Sequence, residues 1–152
     1  MIKVSISHSE MAKLDKEIKA RAKKYEDKVK GIVNEGALMI ESDAKKNVIG
    51  MIGAGMMTQR TYASGFQAEF PKGGISANVH HRDFYAPFVE CGTGSKVFIN
   101  ESSEFGFSGE DRQYASQFRR GPGRNATARP ALFPAFYKNR EKIVKKLKDL
   151  DL

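Results

Sequence analysis

The sequence predicts an α+β domain: a long N-terminal helix, a small mostly antiparallel β-sheet with a hairpin, and a C-terminal amphipathic helix packed on the sheet. Three observations carry this. Apolar residues recur at steps of three and four from Met11 to Ile40, two short alternating runs flank the turn sequence PKGG, and a second helical stripe follows a proline-rich run at 128–136. With 152 residues, 40% of them hydrophobic, the chain suits one domain with a modest core.

Met1 to Ile6 alternates Ile2, Val4 and Ile6 with polar residues, which reads as a short strand and lacks the apolar core of a secretory signal. Ser7 and Glu10 have capping-box spacing, and the stripe beyond them includes Met11, Leu14, Ile18, Ala22, Tyr25, Val29, Ile32, Gly36 and Ile40. An unbroken helix to Asn47 would be on the order of 55 Å long. A domain of this size has a radius of gyration of roughly 15 Å, so part of the helix must project or meet another chain. Gly31 and Gly36 each weaken it by roughly 1 kcal/mol relative to Ala, which marks a bend or a close helix contact.

GMIGAGMM, at 50–57, reads as an interface loop, since its glycines lack the strand-turn-helix context of a dinucleotide fingerprint. Phe66, Ala68 and Phe70 alternate with polar residues, PKGG turns the chain, and Ile75, Ala77 and Val79 alternate again, giving the hairpin. A helical turn starts near Pro87 and ends at Gly92. The stretch 97–127 is an irregular excursion whose aromatics favour ordering against a partner, with a short helix predicted in GEDRQYASQF. From Pro130 onward, Phe133, Phe136, Tyr137, Arg140, Ile143, Val144, Leu147 and Leu150 mark one face of the last helix. The single domain thus divides into strand and long helix (1–49), hairpin and YAPFVECGTG run (58–96), interface loop (97–127) and C-terminal helix (128–152).

Catalytic and metal readings find little support. His80 and His81 are adjacent on a strand and point to opposite faces, so they read as one exposed and one packed imidazole. Cys91, the only cysteine, excludes an internal disulfide and reads as a buried small hydrophobe rather than a nucleophile. No enzyme activity, cofactor or metal site is predicted. Glu90 and Arg129 stand among apolar neighbours, and a buried acid and base are tolerated mainly as partners. They predict a clamp that docks the last helix on the body of the domain, or, between subunits, one that fixes assembly geometry.

The order of these elements, with Tyr85, Ala86, Val89, Glu90, Gly92 and Thr93 in the first run and Ala128, Arg129, Pro130, Leu132, Pro134 and Ala135 in the second, resembles the tail-completion, or head-to-tail joining, family of long-tailed bacteriophages. Cys91 stands where relatives usually carry an aromatic or His, and Ser64 and Gly65 loosely echo the threonine-glycine start of their first hairpin strand. The resemblance implies a structural virion protein of the neck or tail end that forms a homo-oligomeric ring of six or twelve copies. Its partners would be connector and tail-tube proteins. The same likeness gives Tyr85, Val89, Glu90, Gly92, Thr93, Arg129, Pro130, Leu132 and Pro134 as motif or interface residues, and Pro87 joins them as the start of the helical turn between them.

The net charge of +8 implies an anionic partner, a solvated surface or acidic neighbouring subunits. Arg112, Arg119, Arg120 and Arg124 form a basic cluster that can face DNA in a lumen or a neighbouring subunit. A basic nucleic-acid-binding module is the alternative function, although no base-reading motif is present. No apolar run approaches the roughly 18 residues of a membrane span, so the chain is expected to be made in the host cytoplasm and to end in the virion.

Overall fold

A single helix of 43 residues, α1 (His8–Gly50), is the spine of the molecule. The computed structural model describes residues 8–50, 59–92, 109–120 and 127–150. The expected strand at Met1–Ile6, the Ser7 cap, the loop at 51–58, Thr93, Arg124 and much of the 97–127 excursion lie outside them. After α1 come α2 (Gln59–Ser64), β1 (Phe66–Glu69), β2 (Asn78–His81), α3 (Ala86–Cys91), α4 (Gly109–Ser116) with a 3-10 turn at Gln117–Arg120, and α5 (Leu132–Lys148). The architecture is α+β, mostly helical, with one two-stranded antiparallel sheet.

At about 1.5 Å per residue α1 is roughly 65 Å long, and neither Gly31 nor Gly36 breaks it. Its apolar stripe has a finer period than steps of three and four alone suggest. Met11, Leu14, Ile18, Ala22, Tyr25, Val29, Val33, Gly36, Ile40 and Ala44 follow the steps three, four, four, repeated. An eleven-residue period of about 3.67 residues per turn nearly matches the ideal helix, so the stripe runs almost straight along the rod.

Helix α5 lies antiparallel along the C-terminal half of that stripe. Lys146 meets Glu35 at 2.7 Å, Asn139 Nδ2 donates to Asp43 Oδ2 at 3.0 Å, and Asn47 Nδ2 donates to the Ala131 carbonyl at 2.9 Å. Small residues make the approach close: Ala44, Ala131 and Ala135 are fully or almost fully buried. A Cβ on Gly36 would fall inside the Ile143 side chain, so this glycine marks the close helix contact, without a break in the helix. The core adds Ile40, Val48, Tyr62, Ala63, Phe66 and Ala86, with Val79, Val89, Leu132 and Ile143 packed against it. The last helix therefore rests chiefly on α1. Two four-residue strands offer too little surface to carry a helix of 17 residues.

Two details differ from the sequence expectation. The first strand starts at Phe66 as expected, but its partner is Asn78–His81, with Phe66 opposite His81 and Ala68 opposite Val79. Ile75 and Ala77 stay in the connection, where Gly73 supplies the positive φ of the PKGG turn. Register follows the fully buried Phe66, which packs edge-on against the His81 ring at 4.6 Å and leaves Phe70 and Ile75 exposed. The inward residues of α5 are Ala135 and the fully buried Asn139, while Phe136 and Val144 are more than 40% exposed. Asn139 takes a core position because its amide reaches both Asp43 and the Ala135 carbonyl.

Gly31 and Gly36 should separate cleanly by mutation. A Cβ at Gly31 meets nothing within 4 Å, so Gly31→Ala should stabilise the chain by about 1 kcal/mol in denaturant titration. Gly36→Ala should destabilise it by about 1 kcal/mol, and in an Ile143→Ala background, where the nearest remaining atom is Cβ at 3.8 Å, that penalty should disappear.

Candidate functional site

The start of α5 is the most specifically built place in the molecule. Four backbone N–H groups at a helix start lack intrahelical partners. Here the N-cap residue is Ala131, which has no side-chain acceptor. Glu90 on α3 supplies one from elsewhere in the fold: its Oε1 accepts from Ala131 at 2.9 Å and from Leu132 at 2.9 Å, and Oε2 lies 3.0 Å from the Ala131 nitrogen. The Phe133 amide also bonds this carboxylate. The fourth position is Pro134, which has no N–H. One carboxylate and one proline thus satisfy the whole helix start, and the negative charge sits at the positive end of the helix dipole.

Glu90 is almost fully buried, and desolvation raises its pKa to about 7, with the amides of Leu132, Ala131 and Phe133 opposing the rise. In the expected clamp, the acid is met by backbone amides. Glu90 is the buried acid, but Arg129 is exposed, and it is the Arg129 backbone amide that anchors here, donating to the Val89 carbonyl at 2.7 Å. The physical reason is geometric: three amides converge on one point at no side-chain entropy cost, whereas a guanidinium there would itself have to be desolvated.

The other motif residues fall around this cap. Pro87 occupies the first turn of α3, and Gly92 ends that helix with φ 77° and its N–H on the Phe88 carbonyl. Val89 packs on the core, Pro130 is buried, and Leu132 and Pro134 are half-buried. Tyr85 precedes α3, exposed, 6.0 Å from the Tyr62 ring. Burial and a hydrogen bond to Asp83 raise its pKa. Arg112 lies in α4, and Arg119 and Arg120 lie in the 3-10 turn, away from the Glu90 motif in sequence. Sequence reasoning named Glu90 but missed its true partners, and it missed Asn139, whose only signal was a polar residue four positions after the buried Ala135.

Beside the cap, Tyr62 stacks on His81 at 4.2 Å. Asp83 N–H donates to His81 Nδ1 at 3.1 Å, so Nε2 carries the proton it gives to the Tyr62 carbonyl at 2.7 Å. The His81 side chain is packed and His80 is partly exposed, as the strand alternation requires. A Cβ on Gly65 would enter the His81 ring, which fixes glycine at the close approach before β1. The Tyr62 hydroxyl is buried without a hydrogen-bond partner, and burial, then the nearby Glu90, raise its pKa. Cys91 is buried. Among the described residues no group of three or more His, Cys, Asp or Glu could hold a metal ion, and no helix is long and apolar enough to cross a membrane.

Among the described residues, two apolar surfaces remain uncovered. One is an open cavity of about 450 Å³ lined by Val33, Ile40, Val79, Phe133, Phe136 and Ile143, in which the only side-chain amide is Asn78. The other is the N-terminal arm of α1. Every side chain described from Ser9 to Lys28 is exposed, and Met11, Leu14 and Ile18 are each over half exposed. Convergent acids, bases or nucleophiles are found at neither surface, so the chemistry on offer is apolar contact. Comparison with known protein families, with curated proteins and with solved structures finds no match.

Glu90→Ala should cost about 2 to 4 kcal/mol, because it leaves the buried amides at the α5 start unsatisfied. The pH dependence has a definite sign. The folded state holds the Glu90 proton to about pH 7 while the unfolded chain releases it near 4.5, so this group's contribution is full below 4.5 and is lost as pH rises through 7. Chemical denaturation across that window should show the fall, and Glu90→Gln should flatten it. Tyr62→Phe should be neutral or stabilising by up to about 1 kcal/mol, since it removes a buried hydroxyl without a partner.

Proposed function

We propose that this chain is a structural assembly protein of a bacteriophage neck or tail end, which forms a ring and joins the tail tube to the head connector. The observation that carries the assembly reading is the arm of α1: about twenty residues of helix with an exposed apolar stripe that no other described element covers. A helix exposed on every side gains little from its own domain, and most helical stability in proteins comes from packing an apolar face. The uncovered stripe is therefore a surface for another chain.

The phage assignment rests on the run from Tyr85 to Thr93 and the run from Ala128 to Ala135. The described parts of these two runs are also the two halves of the Glu90 cap, which gives their pairing in one sequence a physical purpose. Ring formation, connector and tail-tube partners, and residence in the virion belong to this proposal. Phage lysates in which the gene carries a nonsense codon test it. Filled heads and complete tails should accumulate unjoined, and added wild-type protein should restore joined particles. Normal particles in its absence would sink the reading, and tight, steeply salt-dependent binding of the purified chain to duplex DNA would favour a nucleic-acid module instead.

A further inference from the structure

We propose that the projecting arm of α1 pairs antiparallel with the same arm of a second copy of this chain, about a two-fold axis at Ile18. The pairing rests on α1 alone and stands or falls separately from any role in a virion.

The stripe is its own mirror. Read forward from Met11 it steps three, four, four, three to Tyr25, and read backward from Tyr25 it steps the same way. An antiparallel copy centred on Ile18 therefore sets Ile18 on Ile18, Leu14 on Ala22 and Met11 on Tyr25, with a large residue facing a small one beside the axis. These side chains are exposed in the single chain. The same eleven-residue period continues into the core, but there Gly36, Ile40 and Ala44 are packed and Val29 and Val33 are half-buried, so among the described residues the Ile18-centred segment is the fully exposed part of the stripe.

The charges beside the stripe select both the occupant and the direction. At about 100° per residue, Asp15 and Lys19 flank one edge of the stripe, and Glu17 and Arg21 flank the other. In the antiparallel pair, each edge faces the same edge of the second copy. Asp15 then comes beside Lys19 of the second copy, and Glu17 comes beside Arg21, each contact occurring twice by symmetry. The Asp15–Lys19 ion pair within one helix, 2.6 Å and well exposed, already brings that lysine to the edge where the second copy would lie. A parallel, in-register pair would instead bring Asp15 beside Glu17 and Lys19 beside Arg21, which repels.

The seam from Met11 to Tyr25 is about 21 Å long. A contact that short buries less than the ~1,200 Å² of a standard stable interface, so the dimer should be concentration-dependent.

Sedimentation velocity of the full chain, from micromolar to near-millimolar, should show a shift from one copy to two. Ile18→Lys, which sets two ammonium groups against each other on the axis, should weaken association at least roughly tenfold. Its circular dichroism should be unchanged, because the residue touches no core. Direction is read by cysteine cross-linking with buried Cys91 left in place. A mixture of Leu14→Cys and Ala22→Cys chains should oxidise to the mixed dimer, and Leu14→Cys alone should cross-link poorly. Monomer at every concentration would overturn the inference. So would association indifferent to Ile18→Lys, self-linking of Leu14→Cys in preference to the mixed product, or an Ile18-dependent species larger than two. Should the lysine variant lose helix content, the cross-linking pattern decides alone.

Discussion

The placement of the last helix depends on one carboxylate. Glu90 is carried out of water on a six-residue helix and held against the amides of Ala131, Leu132 and Phe133. Such a group is costly to bury alone, and its position is tolerable only because three donors converge on it. That requirement runs both ways. The α5 start has no side-chain cap of its own, so it needs α3, and Glu90 needs the α5 start. The backbone bond from Arg129 to Val89 and the buried Pro130 then bring the chain into α5 along a fixed line.

From that fixed start, α5 meets α1 along a seam that is apolar in the middle and polar at intervals. Asp43 gathers Asn139, Lys138 and Lys46, and its carboxyl is held below the usual carboxylate range by the Asn139 hydrogen bond first, against the opposing effect of burial. Glu41, two positions earlier, accepts from the Ala68 amide at 2.8 Å and so ties β1 to the same helix; its carboxyl is lowered mainly by Lys45. These partners fix register, since an apolar seam alone would tolerate sliding by a turn. The sheet, the Tyr62 cluster and α5 all take their positions from α1, directly or through Glu90.

Much of this was legible in the sequence, and the exceptions have physical causes. The α1 stripe was readable because periodicity survives whether its partner is in the same chain or another. The hairpin was readable as a hairpin, but its second strand was placed too early, because Ile75 and Ala77 alternate as well as Val79 does and only the buried Phe66 decides the register. Glu90 stood out as an acid among apolar neighbours, yet its partners did not, because backbone amides carry no residue-type signal. The nearest visible cation, Arg129, contributes its backbone amide to the Val89 carbonyl, a contact that no residue type announces. Asn139 failed the other way: a polar residue on a helix reads as solvent-facing unless the facing residue, Asp43, is known. The cap is thus a site whose acid is written in the sequence and whose donors exist only in the fold.

The same stripe on α1 serves two ends because α5 is short. Seventeen residues of α5 span roughly 25 Å, and the cover ends near Glu35, where Lys146 makes its ion pair. Beyond that point Val33 and Val29 are half-buried, and from Tyr25 back to Met11 the apolar positions continue with unchanged period but meet water. Burying a side chain such as Leu14 or Ile18 is worth about 1.5 to 3 kcal/mol, so the uncovered arm holds a reserve of association energy comparable to a large part of a small domain's net stability. Its lysines and acids keep that reserve soluble by bordering the stripe closely on both edges. The constraint is then selective rather than merely protective. A partner must match both the steps of the stripe and the order of charge beside it, and the most economical surface that does so is the arm itself, reversed.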